Sequence, residues 1–159
     1  MQLTWDIRFL AMAGLVGSWS KDPSTKVGAV IADSCNRNVS VGFNGFPKGV
    51  IDDPALYADK EYKHKVIIHA ETNAILFAGR ELHGCSIYTD PLPTCSVCAS
   101  LIIQSGICRV VSYDLEEGTK ERWRDSFILA KDMYEQAGVE FITYPRNINE
   151  TKIYKNSEL

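Results

Sequence analysis

Residues 85–113 read CSIYTDPLPTCSVCASLIIQSGICRVVSY, two short apolar strands either side of a helix. Cys85 to Thr89 is too short for a helix and is built from strand formers. Thr94 is placed to cap a helix from Cys95 to Ser105, and Gly106 ends it. Arg109 to Ser112 is a second strand. The alternation continues outward. Downstream, Trp123, Phe127, Ala130, Tyr134 and Ala137 recur at spacings of four and three, so Thr119 to Ala137 reads as a helix with one buried face. Gly138 ends it, and Val139 to Thr143 is a last strand. Upstream, Ala70 to Ala78 is a helix stopped by Gly79. Before it, Val27 to Ala32 and Val39 to Phe43 are strands joined by the polar turn Asp33 to Asn38, a hairpin. A first helix near residues 4–19 is capped by Thr4 and faces the core with Ile7, Leu10, Ala11, Leu15 and Trp19.

The order α-β-β-α-β-α-β-α-β, a hairpin and then strands alternating with helices, implies an α/β fold. The expected form is a three-layer α/β/α sandwich around one mixed five-stranded sheet. The length, 159 residues, suits one domain over 1–159 with a core of about 4–145 and a polar tail, 146–159, holding scattered Ile148, Ile153 and Tyr154. Asn44 to about Lys65 reads as irregular, and loops of that length are uncommon unless they have a task.

Composition excludes several classes. The chain is 45% hydrophobic and 23% charged with a net charge of −3, and no run of basic residues offers a track for a nucleic-acid backbone. That favours a small substrate over a polymer. Five cysteines cannot all pair, which points to a reducing compartment, the cytoplasm. The apolar stretch Phe9 to Val16 follows Asp6 and Arg8 and reads as a helix face, not an export signal. No run has the roughly 18 apolar residues of a membrane span.

The chemistry lies in His69-Ala70-Glu71 and Cys95-Ser96-Val97-Cys98. A catalytic zinc takes three protein ligands and leaves the fourth corner of its tetrahedron to water. His69, Cys95 and Cys98 make three. The two cysteines are three apart on a helix and project to one side, in a first turn whose dipole favours thiolate. His69 and Glu71 would point roughly 200° apart inside a helix of 3.6 residues per turn. They share a site only if His69 stands at the helix entry and regular structure begins near Ala70. Glu71, close to the water but not on the metal, is then the proton shuttle. A structural zinc would want a fourth ligand, for which His64, His83, Cys85 or Cys108 are available; the His-x-Glu pattern favours catalysis. Cys35, Cys85 and Cys108 are assigned to packing.

With these motifs the chain resembles the deoxycytidylate (dCMP) deaminase family of the cytidine deaminase fold. The likeness runs from about Trp19 to Tyr144 and includes Ser20-Lys21-Asp22-Pro23-Ser24-Thr25-Lys26-Val27-Gly28-Ala29 and Gly42-Phe43-Asn44-Gly45-Phe46-Pro47. It also includes His69-Ala70-Glu71-Thr72-Asn73-Ala74-Ile75, Cys95-Ser96-Val97-Cys98-Ala99, Leu101 to Ile107 and Ala137-Gly138-Val139. Two departures stand out: Thr94 separates Pro93 from Cys95 where the family has proline next to the cysteine, and Phe43 replaces a common tyrosine. The resemblance implies zinc-dependent hydrolytic deamination of dCMP to dUMP and ammonia, supplying dUMP for dTMP synthesis. It further implies that Asn44 binds the sugar, that Ser24 and Lys26 hold the 5′-phosphate, and that Ala70 and Tyr113 contact the substrate. Homohexamers, activation by dCTP and inhibition by dTTP with magnesium follow from the same resemblance. Asn44, Gly45, Lys48 and Asp52, in a loop that also holds Asp53, would line the regulatory site.

Two rival readings remain. One is a deaminase of another substrate: free cytidine, a guanine-type base or tRNA adenosine. The other is a non-catalytic zinc- or nucleotide-binding assembly module, which would bind zinc and release no ammonia.

Overall fold

The computed structural model describes residues 2–115, 118 and 121–148. Helix α1 spans Gln2–Gly17, and strands β1 (Gly28–Ala32) and β2 (Asn38–Phe43) form an antiparallel hairpin. Helices α2 (Pro54–Ala58), α3 (Lys60–Val66) and α4 (Ala70–Phe77) follow. Strand β3 (Ser86–Asp90), helix α5 (Ser96–Gln104), strand β4 (Arg109–Tyr113), helix α6 (Glu121–Ala137) and strand β5 (Glu140–Tyr144) complete the series. The expected order therefore gains two short helices in the stretch read as irregular. Their start signals are local: Asp53 caps α2 with Pro54 in its first turn, and Asp59 caps α3 by accepting from the amides of Glu61 and Tyr62.

The five strands form one mixed sheet in the order β2-β1-β3-β4-β5. β1 is antiparallel to both β2 and β3, whereas β3–β4 and β4–β5 are parallel. Alternate side chains sort onto two faces, as the pleat requires. Val30, Ala32, Tyr88 and Val111 pack against Ile7, Phe9, Leu10 and Ala13 of α1. Ala29, Ile31, Ile87 and Val110 pack against Ala70, Ala74, Cys98, Ile102, Phe127 and Tyr134 of α4, α5 and α6. This is the three-layer arrangement expected from the alternation.

Two glycines set how closely the layers approach. A Cβ on Gly28 would strike the Ala13 carbonyl, and one on Gly42 would strike the Ala70 carbonyl and the Ala74 amide. The absence of a side chain at Gly42 lets the first turn of α4 rest directly on β2.

The structure corrects several local expectations. α1 begins by Gln2, so Thr4 lies inside the helix instead of capping it. Its buried face is Asp6, Ile7, Phe9, Leu10, Ala13 and Val16, while Ala11, Leu15 and Trp19 are exposed. The sequence pattern misled because Asp6 is buried on an ion pair with Arg109, at 2.7 Å, and takes a position that reads as polar surface. Ala137 is exposed at the end of α6. Cys35 and Cys108 are exposed, so of the three cysteines assigned to packing only Cys85 is in the core. Thr119 and residues 149–159, including Ile153 and Tyr154, lie outside the described residues. No described helix is long and apolar enough to cross a membrane.

Candidate metal centre and pocket

The centre forms where β1 begins and β2 and β3 end, because α4 and α5 both start there. His69 is the N-cap of α4 with extended backbone (φ −71°, ψ 155°), as the angular argument required. Three contacts fix it. Gly45 and Ile68 exchange two backbone hydrogen bonds of 3.1 and 2.9 Å just before it. Gly42 lies beneath Ala70. The Asn73 amide donates to the Phe43 carbonyl at 2.8 Å.

Cys95, not Thr94, caps α5, and its sulfur accepts from the Cys98 amide at 3.5 Å. The expectation failed because a cysteine at that position offers its own acceptor. His69 Nδ1 lies 3.5 Å from Cys95 Sγ and 3.4 Å from Cys98 Sγ. One ring nitrogen cannot donate one proton along both directions, so a cation at the shared focus suits the trio better than a hydrogen bond does. The spacing fits zinc: Zn–N near ~2.1 Å and Zn–S near ~2.3 Å in a tetrahedron put nitrogen and sulfur about 3.6 Å apart. Among the described residues this is the one His/Cys/Asp/Glu cluster with metal-holding geometry. No fourth protein ligand joins the trio within that cluster.

Electrostatics follow from the same contacts. The S–H of Cys98 and the His69 ring, working against burial, hold the Cys95 thiol down to about 4. Its partner Cys98 is pushed up, by that donation and by burial. The Cys95 sulfur raises His69 despite burial, and the Glu71 charge adds to the effect. Glu71 is 4% exposed, and burial raises its carboxyl above the ordinary glutamate range, opposed in part by His69. A carboxyl raised in this direction is suited to take up and return a proton.

A cavity of about 380 Å³ opens over this centre. His69, Ala70, Glu71 and Cys95 form its floor, and Ser24 and Asn44 stand on one side, so these expected residues are brought together. Lys26 and Tyr113 are not. The Lys26 ammonium bonds to the Ser18 carbonyl at 3.4 Å. Tyr113 packs with the α1 layer on the other face of the sheet, its ring 4.7 Å beneath the Arg146 guanidinium. Of the loop residues expected to bind an effector, Lys48 is exposed and Asp52 pairs with Lys21.

Sequence reasoning missed part of the wall. Lys60, Lys63 and His64 of α3 line the cavity, as do Trp123 and Phe127 of α6. Lys63 is 6% exposed and sits 3.2 Å from both oxygens of buried Asp22 and 3.1 Å from the Ser24 hydroxyl. Asn44 ties the same corner: its Oδ1 accepts from the Val27 amide at 2.8 Å and its Nδ2 donates to the Thr25 carbonyl at 2.9 Å. The Asp53-Pro54 and Asp59 start signals would have revealed α3; nothing in the chain shows that α6 reaches the cavity.

Comparison with known proteins agrees with this geometry. Residues 3–114 match the family model of the cytidine and deoxycytidylate deaminase zinc-binding region. A deaminase from the luxG 3′ region of Aliivibrio fischeri is 51% identical, covering 91% of this chain and 96% of its own. A probable deoxycytidylate deaminase of Drosophila melanogaster is 42% identical over 94% of this chain and 75% of its own. The fold matches the dCMP deaminase of cyanophage S-TIM5, crystallised with dCMP and dUMP, at a TM-score of 0.65 and 21% identity over 87% of this chain and 95% of that one.

Proposed function

The chain belongs to the cytidine and deoxycytidylate deaminase family, and from that membership we propose that it hydrolyses dCMP to dUMP and ammonia. The observation that carries the reading is a buried glutamate, Glu71, beside a three-ligand His/Cys/Cys trio, both opening on one cavity. A purely structural site has no use for that carboxyl.

His69, Cys95 and Cys98 would hold the zinc. Bound there, zinc is a Lewis acid that lets water ionise near pH ~7 instead of about 15.7. Glu71 takes the proton of the attacking water and delivers it to the ring nitrogen N3 of cytosine. The water oxygen bonds to C4. Glu71 then takes the proton of the new C4 hydroxyl and passes it to the amine as the C4–N4 bond breaks, so the C4 carbonyl forms and ammonia and dUMP leave. Burial of Glu71 excludes competing solvent from these transfers.

Substrate contacts divide along the cavity. Asn44 spends its amide protons on the 22–27 segment and keeps an Oδ1 lone pair for a sugar hydroxyl. Ala70 offers backbone beside the base. Ser24, with Lys60 and Lys63 on α3, takes the 5′-phosphate, the part that sequence reasoning gave to Ser24 and Lys26. Charge-assisted hydrogen bonds contribute about 1.5–3 kcal/mol each, so the phosphate is worth about 10–100-fold in kcat/KM. Measuring ammonia release from dCMP, deoxycytidine, CMP and dCTP tests this. The expected order puts dCMP above deoxycytidine by at least that factor; equal turnover of the two removes the phosphate site, and no turnover of any cytosine compound removes the reading.

Regulation by dCTP and dTTP belongs to the same reading, at Asn44, Gly45, Lys48 and Asp52. Gly45 has open space beside its Cα. Asp53 is committed to capping α2, and Asp52 becomes available to magnesium only if it leaves Lys21; the ion would depend chiefly on the triphosphate. Assembly into a homohexamer agrees with the exposed Leu76, Phe77, Val97 and Leu101 on α4 and α5, and cytoplasmic residence agrees with the free thiols.

A further inference from the structure

Ligand Cys95 is held on both sides by hydroxyls that come from α6. The residue before it, Thr94, is 1% exposed, and its hydroxyl lies 2.7 Å from the Tyr134 hydroxyl, in a residue that is 0% exposed. The residue after it, Ser96, donates its amide to the Ser126 hydroxyl at 3.1 Å, and its own hydroxyl is also 3.1 Å from Ser126 Oγ. Ser126 and Tyr134 are eight residues apart on α6, about two turns, so they present to one side of the helix. Between these tethers stands the cysteine whose sulfur must meet His69.

The local chain needs such help. Cys95 leaves a loop with extended backbone (φ −77°, ψ 166°) and enters a helix, so its position is not set by regular hydrogen bonding on both sides. A metal ligand misplaced by even ~0.5 Å loses much of its worth. The bond to Tyr134 restrains, through its side chain, the residue that leads into Cys95. Tyr134 is itself fixed by stacking on Phe141, with ring centroids 5.6 Å apart. α6 begins after residue 114, where the family-model match ends, and no ligand of the metal lies on it.

We propose that Tyr134 and Ser126 are positioning residues: α6 clamps Thr94 and Ser96 and thereby fixes the Cys95 ligand for the metal. The inference rests on the reading of His69, Cys95 and Cys98 as the zinc site. Loss of an outer partner of a metal ligand typically weakens binding by about 10–100-fold. Each of Tyr134→Phe and Ser126→Ala should weaken zinc by at least about 10-fold, and the double variant by more than either.

The test uses the full chain. Zinc affinity is measured by competition with a chromophoric chelator, and the thiolate-to-metal band of the cobalt-substituted protein is recorded. Tyr144→Phe is the control, because it deletes a hydroxyl donating at 2.8 Å to Asp6 on the far side of the sheet. Thr94→Ser keeps the tether and should bind zinc as the parent does. The combined Thr94→Val/Tyr134→Phe variant removes both hydroxyls together, so it folds without an orphaned polar group yet should still bind zinc weakly with an altered cobalt band. The clamp is wrong if that variant and Ser126→Ala match the parent in affinity and spectrum while melting lower, as Tyr144→Phe should. If the parent binds no zinc, the metal reading itself has failed, a result distinct from equal binding by parent and variants.

Discussion

Lys63→Met is the most informative single change in the cavity wall. The Lys63 ammonium is the cation facing Asp22, a carboxylate only 2% exposed, at 3.2 Å from each oxygen. Removing one partner of a buried pair destabilises by about 3–5 kcal/mol, because the other charge is left uncompensated. Here Asp22 keeps the Ser24 amide at 2.8 Å and the Asn44 amide at 3.4 Å, which places the expected loss near the lower end, about 3 kcal/mol. For a domain of this size each kcal/mol shifts Tm by about 2–4 °C, so the zinc-loaded variant should melt about 6–12 °C lower by calorimetry. The same change draws Ser24 from the cavity, since Lys63 donates to its hydroxyl at 3.1 Å, and KM for dCMP should rise about 10-fold or more. Asp22→Asn with Lys63→Met separates the two effects: it removes the uncompensated charge and keeps an acceptor for the Ser24 amide, so it restores part of the stability but not the dCMP affinity. A Lys63→Met protein within about 1 kcal/mol of the parent would refute the reasoning, as would a double variant as unstable as the single.

Glu71→Gln should retain zinc, measured as metal per chain, and lose about 10²–10⁴-fold in kcat, the usual worth of a proton-transfer group; near-parental turnover would remove Glu71 from its role. Gly42→Ala forces a methyl into the Ala70 carbonyl and Ala74 amide, so it should cost about 2 kcal/mol or more in urea unfolding and weaken zinc, since the entry of α4 must shift. Acid stability should depend on Asp6. Burial raises its carboxyl, but bonds from Arg109, Tyr144 and Gln2 outweigh that and hold it below the ordinary 3.8. Its contribution is therefore present above that value and is lost as pH falls through the lower folded one. Urea unfolding below about pH 4 should lose stability more steeply in the parent than in Asp6→Asn.

The layered fold was legible because its signals are local and repeated. The hairpin at 28–43 and the β3–α5–β4 unit each carry their own turn chemistry and apolar runs. The convergence of His69, Cys95 and Cys98 was legible too, since His-x-Glu and Cys-x-x-Cys need only two helix starts to meet, and the position of His69 followed from the helical angle alone. The face of α1 was not, because a buried Asp6 paired to Arg109, 103 residues away, contradicts any hydropathy pattern. Tyr113 was misplaced because a strand-end aromatic faces either layer according to a register of one residue; here it faces α1. Lys63 hid in a stretch read as loop, and its approach to Asp22 spans 41 residues that no local rule connects. Thr94 reads as a cap from sequence, yet its hydroxyl is spent on Tyr134, and Cys95 caps the helix instead.

The proposed deamination of dCMP depends on one zinc, which His69, Cys95 and Cys98 would hold. Its most direct measurement is the stoichiometric release of ammonia and dUMP from dCMP by protein stripped with chelator and then titrated with zinc. The stripped protein should show no turnover, and activity should be full at about one zinc per chain. Unchanged turnover after stripping, or a zinc-saturated protein that leaves dCMP intact, would contradict it.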